Sequence, residues 1–203
     1  MTNRPLSLEL RKWLKEDRPK NLAGLIAVLG EKSIVIVILV LLFFPALPLP
    51  TGGITHILEF AAMILALEMI AGRKTLWLPK RILKMNLGQV TLKKAIPFFT
   101  DRISWLEKHS KPWGRSYLEN PYFLRFVGVL LLVLAINTFV TPPFTGLDTL
   151  PSFSAVLISI GVILGDMRYF VIGLVIGIAG LASYVFLGAV VIEVIRNLIH
   201  RFF

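Results

Sequence analysis

The feature that most constrains this chain is an uncharged stretch, Phe43-Phe44-Pro45-Ala46-Leu47-Pro48-Leu49-Pro50-Thr51-Gly52-Gly53, with an apolar run on each side. Proline cannot continue a helix, because it lacks an N–H and its ring clashes with the preceding turn. The glycines then admit backbone angles that other residues avoid. The chain therefore runs apolar, breaks, turns and runs apolar again. A related break follows 94 residues later, where Pro142-Pro143-Phe144-Thr145-Gly146 aligns with Pro48-Leu49-Pro50-Thr51-Gly52. Downstream, Phe60-Ala61 falls on Ser154-Ala155 and Ile64 on Ile158; with one gap, Gly72-Arg73 falls on Gly165-Asp166. The order is the same in both copies: apolar run, Pro/Gly break, apolar run, glycine plus charge.

With 56% hydrophobic residues gathered into blocks, the chain is read as a membrane protein. Ser33 to Leu47 would reach about 22 Å as a helix, short of the roughly 30 Å hydrocarbon core. It either crosses a thinned region or forms half of a re-entrant hairpin. Further apolar blocks are Ile54 to Ala71, Phe123 to Val140, Leu147 to Gly165 and Tyr169 to Ile195. The expected fold is an all-α polytopic membrane protein: two related helical hairpins with Pro/Gly-broken, re-entrant-style helices, plus a final transmembrane helix. The expected divisions are residues 1–30, a cytoplasmic or interfacial amphipathic helix; 31–72, a first membrane repeat; 73–121, a basic amphipathic cytoplasmic segment; 122–168, a second membrane repeat; and 169–203, the final helix. In the first division, Leu6, Leu10, Trp13 and Leu14 form an apolar stripe among charged residues, which suits the membrane interface. Arg4, Arg11, Lys12, Glu16 and Asp17 precede any long apolar run, unlike a cleaved signal peptide. In the last, Gly173-xxx-Gly177 and Gly180 permit close helix approach, either within the protomer or at a dimer interface.

The formal charge of +10 does not point to nucleic acid, because the basic residues flank the apolar blocks. Residues 1–32 carry seven Lys/Arg and residues 73–121 eleven, whereas 45–53 and 141–147 carry none. The N-terminus and the middle segment are thus expected on the cytoplasmic side of a bacterial inner membrane, both breaks toward the outside, and the repeats parallel. Five full crossings would then put Arg196, His200 and Arg201 outside, so one block is expected to be re-entrant. With no cysteine, thiol catalysis, thiolate metal sites and disulfides are excluded. His56, His109 and His200 show no metal spacing, and no phosphate loop or nucleotide fingerprint is present. Neither an enzyme, a metal nor a cofactor is expected.

The informative residues are acids in or beside apolar blocks: Glu31, Glu59, Glu68, Asp148, Asp166 and Glu193. A charge at the bilayer centre costs about 2.5–3.5 kcal/mol on insertion scales, so such acids must pair, face water or hold a proton. Glu59, Glu31 and Asp148 are the leading site residues around the two breaks, with Glu68 and Asp166 as further acids. Each has a plainer reading. Glu68 fits an interfacial acid beside Arg73, Asp148 a helix N-cap before Pro151, and Asp166 with Arg168 a surface turn. Pro48, Pro50, Gly52, Gly53, Pro142, Pro143, Thr145 and Gly146 would shape the backbone. Broken helices in repeated positions point to a transporter site. Acids outnumber bases there, which favours a proton or an organic cation.

These residues resemble the ExoD family, named for exopolysaccharide synthesis. The resemblance covers about residues 25–185 and lies in Leu29-Gly30-Glu31-Lys32, Pro45 to Pro50, Ala66 to Arg73, Trp77-Leu78-Pro79, Pro142 to Pro151 and Gly161 to Asp166. The family usually has Gln where Glu68 stands, Asn where Asp148 stands, and Arg-Asp-Gly where Gly165-Asp166-Met167 stands. This chain is therefore more acidic at two motif positions. The Pro-rich style is also similar, more distantly, to the DedA group of membrane proteins. The expected function is a small proton-coupled secondary transporter of a cationic solute such as arginine. The alternatives are an accessory membrane protein of exopolysaccharide synthesis or export, as the resemblance implies, or a DedA-like lipid transporter. The expected partners are the lipid bilayer, a small solute, protons and a second copy in a homodimer.

Overall fold

The computed structural model describes residues 5–202 except 18, 48–53, 74, 78–82, 85–87, 89–91, 94–95, 111–112 and 142–146, and describes no side chain at 54 or 187–202. Residues 48–53 of the first Pro/Gly break and 142–146, the whole of the second, therefore lie outside the described residues. Among those described there is no β-strand. The helices are α1 (Leu6–Lys15), α2 (Leu22–Leu29), α3 (Ser33–Phe43), α4 (Ile54–Ile70), α5 (Ile96–His109), α6 (Arg115–Leu118), α7 (Pro121–Val140), α8 (Thr149–Leu164) and α9 (Met167–Phe202).

Local chemistry sets the boundaries. Asn21 caps α2 by accepting the Gly24 N–H, and Asn120 caps α7 by accepting the Tyr122 N–H with Pro121 just inside the helix. Between α2 and α3, Gly30 has φ 57° and the chain makes a short 3-10 turn, Gly30–Lys32. The apolar stretch Leu22–Phe43 is long enough to cross a membrane, as are Pro121–Val140 and Met167–Phe186. The first is bent at Gly30 rather than straight. The helix of the first block stops at Phe43, and Phe44 to Leu47 form turns. α9 is longer than its apolar block predicts, running from Met167 to Phe202.

The two helices that follow the breaks, α4 and α8, end alike. At Gly72, φ 78°, the Gly72 N–H bonds the Met69 carbonyl and the Arg73 N–H bonds that of Glu68. At Gly165, φ 69°, the Gly165 N–H bonds the Val162 carbonyl and the Asp166 N–H that of Gly161. Both are Schellman ends, which need a left-handed residue after the helix.

The bundle is built crosswise. α3 packs on α8, and α4 packs on α7. The start of α3 meets the end of α8, where Lys32 Nζ donates to the Ile163 carbonyl at 2.6 Å. The start of α7 meets the end of α4, where a Cβ placed on Gly72 would lie 2.6 Å from Arg125 Nη2. The core between them holds Ile38, Leu42, Ala62, Ala66, Val127, Leu131, Ala155 and Ile158, all 2% exposed or less.

The glycines of α9 face α8 within the same chain. A Cβ on Gly173 would come 2.8 Å from Ile158 N and 3.0 Å from the Ser154 carbonyl, and one on Gly177 would come 2.5 Å from Ser154 Oγ. Ser154 Oγ donates to the Gly173 carbonyl at 2.7 Å, locking the close approach. Intramolecular packing is thus what this stripe does. The amphipathic α1 also packs on protein: Leu10 and Trp13 are buried, and the helix lies against α5.

Gly173→Val should push α8 and α9 apart, because the obstructing atoms are backbone. The expected loss is about 1–3 kcal/mol, read as a lower thermal midpoint in detergent with unchanged mass by light scattering. An unchanged midpoint with altered oligomeric mass would show that the stripe is an intermolecular contact.

Candidate functional site

Glu59 sits in the second turn of α4, about 7 Å along the axis from the helix start. Its side chain is fully buried, a position an ionisable group occupies only with partners or a proton. One turn earlier, His56 Nδ1 lies 2.8 Å from Glu59 Oε2. The i, i+3 spacing puts both on one helix face. The other carboxyl oxygen, Oε1, is buried and has no hydrogen-bond partner among the described residues. Asp148, at the N-cap position of α8, lies at the same end of the bundle as Glu59. Its side chain makes no capping hydrogen bond to α8.

The surroundings fix the depth. The His56 ring is 5.5 Å from that of Phe139, in the last turn of α7. The cluster therefore lies where α4 and α8 begin and α7 ends, the end of the bundle to which both Pro/Gly breaks connect. Lys32, Arg125, Gly72 and Gly165 lie at the opposite end. Thr55, Thr138 and Thr141 are buried near the same three helix ends. Thr138 Oγ1 donates to the Ala135 carbonyl and Thr141 Oγ1 to the Asn137 carbonyl, both at 2.8 Å. Asn137 Oδ1 and Ser152 Oγ are further buried oxygens without partners among the described residues.

The His56–Glu59 pair can hold one proton in two arrangements: imidazolium facing carboxylate, or neutral imidazole facing carboxylic acid. Either leaves Oε1 to accept a donor from a guest. His56 remains 32% exposed, so it links the buried carboxyl to the outside of the bundle. Among the described residues no group of three His, Cys, Asp or Glu is placed to hold a metal ion.

The structure brings together only part of the predicted set. Glu59 and Asp148 share the site. Glu31 does not reach it: it is exposed in the turn before α3, and the length of α3 separates it from the break. Glu68 belongs to the opposite end, where Oε2 accepts the Trp77 N–H at 3.2 Å and Oε1 lies 3.9 Å from Arg73 Nη1. Asp166 is 1% exposed and holds a corner, accepting from Ser110 Oγ and the Arg168 N–H, each at 3.0 Å. The backbone-shaping residues Pro48, Pro50, Gly52, Gly53, Pro142, Pro143, Thr145 and Gly146 lie outside the described residues. Sequence reasoning missed Asn137 and Ser152, which look like ordinary polar residues of apolar helices. Thr55 was open to detection, since Thr55 and Glu59 are i, i+4 on one face.

Residues 6–186 match the family described as "Exopolysaccharide synthesis, ExoD". The chain belongs to the ExoD family. A relative from Synechocystis sp. (strain ATCC 27184 / PCC 6803 / Kazusa), the "Uncharacterized protein slr1875", is 29% identical over 197 residues, covering 94% of this chain and 87% of the relative. No solved structure matches. The ExoD match runs through α4, α7 and α8, so it contains the whole Glu59 cluster.

Removing His56 should leave the buried carboxyl with neither of its oxygens bonded. His56→Phe is expected to destabilise the protein by about 1–3 kcal/mol, and His56→Phe with Glu59→Gln by less than the sum of the two single variants. A thermal-melt double-mutant cycle in detergent checks this; strict additivity would mean that the pair is not coupled.

Proposed function

We propose that this ExoD-family chain is an accessory integral membrane protein of exopolysaccharide synthesis, and that the Glu59 cluster is where it engages a small guest. The family supports the first half. The second rests on one observation: a fully buried carboxyl group with one oxygen bonded to His56 and the other without a partner among the described residues. Such a group suits a proton or a hydrogen-bond-donating cation, because an ionised carboxylate holds N–H donors more strongly than a neutral acceptor does. We place the protein in a bacterial inner membrane with its N-terminus cytoplasmic, as the distribution of Lys and Arg favours.

The scaffold of this site is a pair of repeats in this reading. What supports the pairing is the shared Schellman ending of α4 and α8 at the aligned residues Gly72 and Gly165, and the crosswise contacts of Lys32 and Arg125. The starts of α3 and α7 and the ends of α4 and α8 then share one face of the membrane, which is the parallel arrangement. A homodimer would use a face other than the glycine stripe of α9, which α8 occupies.

The finer reading is proton-coupled exchange of a cationic solute such as arginine. It draws on Glu59, His56 and Asp148 alone, and nothing in the comparisons points to arginine. Two measurements test the proposal. In a host whose exopolysaccharide depends on this chain, Glu59→Gln should lower exopolysaccharide severalfold while the protein stays in the membrane fraction. In liposomes, a pH gradient should drive uptake of a labelled cationic amino acid by the wild type and not by Glu59→Gln. Normal exopolysaccharide with Glu59→Gln would remove the site from the function. Lipid flipping without solute uptake would favour a DedA-like activity.

A further inference from the structure

We propose that the outward face of α5 is a binding surface for anionic phospholipid headgroups, in the leaflet where α4 and α8 end. Phe98, Arg102, Trp105 and His109 recur at i, i+4, i+7 and i+11, so they form one stripe along the helix. All four are exposed, Phe98 by 55% and Trp105 by 57%. They are also ordered against one another. The Arg102 guanidinium lies 5.2 Å over the Phe98 ring. The His109 ring lies 4.5 Å from that of Trp105, and His109 Nδ1 is 2.8 Å from the Trp105 carbonyl.

The other side of α5 is taken by protein. Ile96 and Thr100 are buried, Glu107 accepts from Ser7 of α1, and Asp101 pairs with Arg11 of α1 at 2.7 Å. The helix therefore offers one face outward, and the acid nearest that face is already matched by a base.

The depth of the stripe comes from how α5 is tied to the bundle. Ser110, just past the helix, donates to Asp166, which stands between α8 and α9. The Met167 N–H, at the start of α9, donates to the Trp113 carbonyl at 2.9 Å. The end of α5 is thus fixed at the level where an apolar helix leaves the membrane. Trp77, Trp113, Tyr117 and Tyr122 are each more than 60% exposed on segments near the helix ends at this face, matching the aromatic belt of a bilayer interface. With two large aromatic rings and an arginine at that level, the occupant that fits is the headgroup layer of the same bilayer. The rings enter the acyl boundary and Arg102 and Lys108 meet phosphate. The excess of bases favours anionic over zwitterionic lipid. This inference is independent of Glu59 and of any guest there.

The chain has no cysteine, so single nitroxide labels can be placed without other changes. The experiment uses the full chain in nanodiscs of phosphatidylcholine and phosphatidylglycerol, labelled at Phe98→Cys or Trp105→Cys. Both labels should collide more often with oxygen than with a water-soluble nickel chelate. Arg102→Gln should reduce the phosphatidylglycerol retained through detergent washing, relative to phosphatidylcholine, by about fivefold, and Arg102→Lys should retain most of it. Labels open to nickel would put the stripe in water and overturn the proposal. Labels shielded from both probes would also overturn it, by showing that a second copy or another protein covers the face. Phosphatidylglycerol retention unchanged in Arg102→Gln would overturn the preference for anionic lipid.

Discussion

The last carbonyls of a helix that ends at or inside a membrane must find hydrogen-bond donors within the protein, since lipid tails offer none. The architecture follows from meeting that demand twice. α4 and α8 each close on a glycine in the left-handed region, which turns two backbone N–H groups back onto the helix. A basic side chain at the start of another helix then comes to each end. Lys32 donates directly to Ile163, and Arg125 packs over Gly72. A cation at a helix C-terminus is also favoured by the helix dipole. Each cation belongs to the helix that packs on the one it closes: Lys32 leads into α3, which lies on α8, and Arg125 is in α7, which lies on α4. The apolar core fills the space between.

The opposite end of the bundle has the complementary problem. There α4 and α8 begin, with N–H groups that find no partner within their own helix and with positive dipole ends, and there the buried acid Glu59 and the N-cap Asp148 are found. Carboxylates at helix starts are electrostatically sensible. The burial of Glu59 goes beyond that need, because a capping acid is normally solvated and placed before the first turn. Oε1, with no partner among the described residues, marks a polar position that packing alone does not require.

Much of this was legible in the sequence. Proline and glycine act locally, so the ends of α3 and α7 and the starts of α4 and α8 could be placed from their positions. Alignment of the two breaks pairs Gly72 with Gly165, and the two residues share one helix-ending geometry. The i, i+3 relation of His56 and Glu59 is fixed by helix pitch. Glu31 shows the limit: closeness to an apolar block says nothing about which end of the bundle a residue occupies, and a helix length separates it from Glu59. For Asp166 the turn with Arg168 was readable, but its second partner, Ser110, comes from a segment 56 residues earlier. The glycine stripe of α9 read equally well as an inner or outer contact. Only the positions of Ser154 and Ile158 decide it.

The bond from Lys32 to Ile163 spans 131 residues of sequence. A growing chain delivers about 5–20 residues per second, so on the order of ten seconds separates the synthesis of the donor from that of its acceptor. During that interval α3 is already made, while its lysine has no helix end to close. Until α8 is made, water at the end of the bundle where α3 begins must serve Lys32 in place of the Ile163 carbonyl. The contact that joins the start of α3 to the end of α8 is therefore among the last that the growing chain can complete.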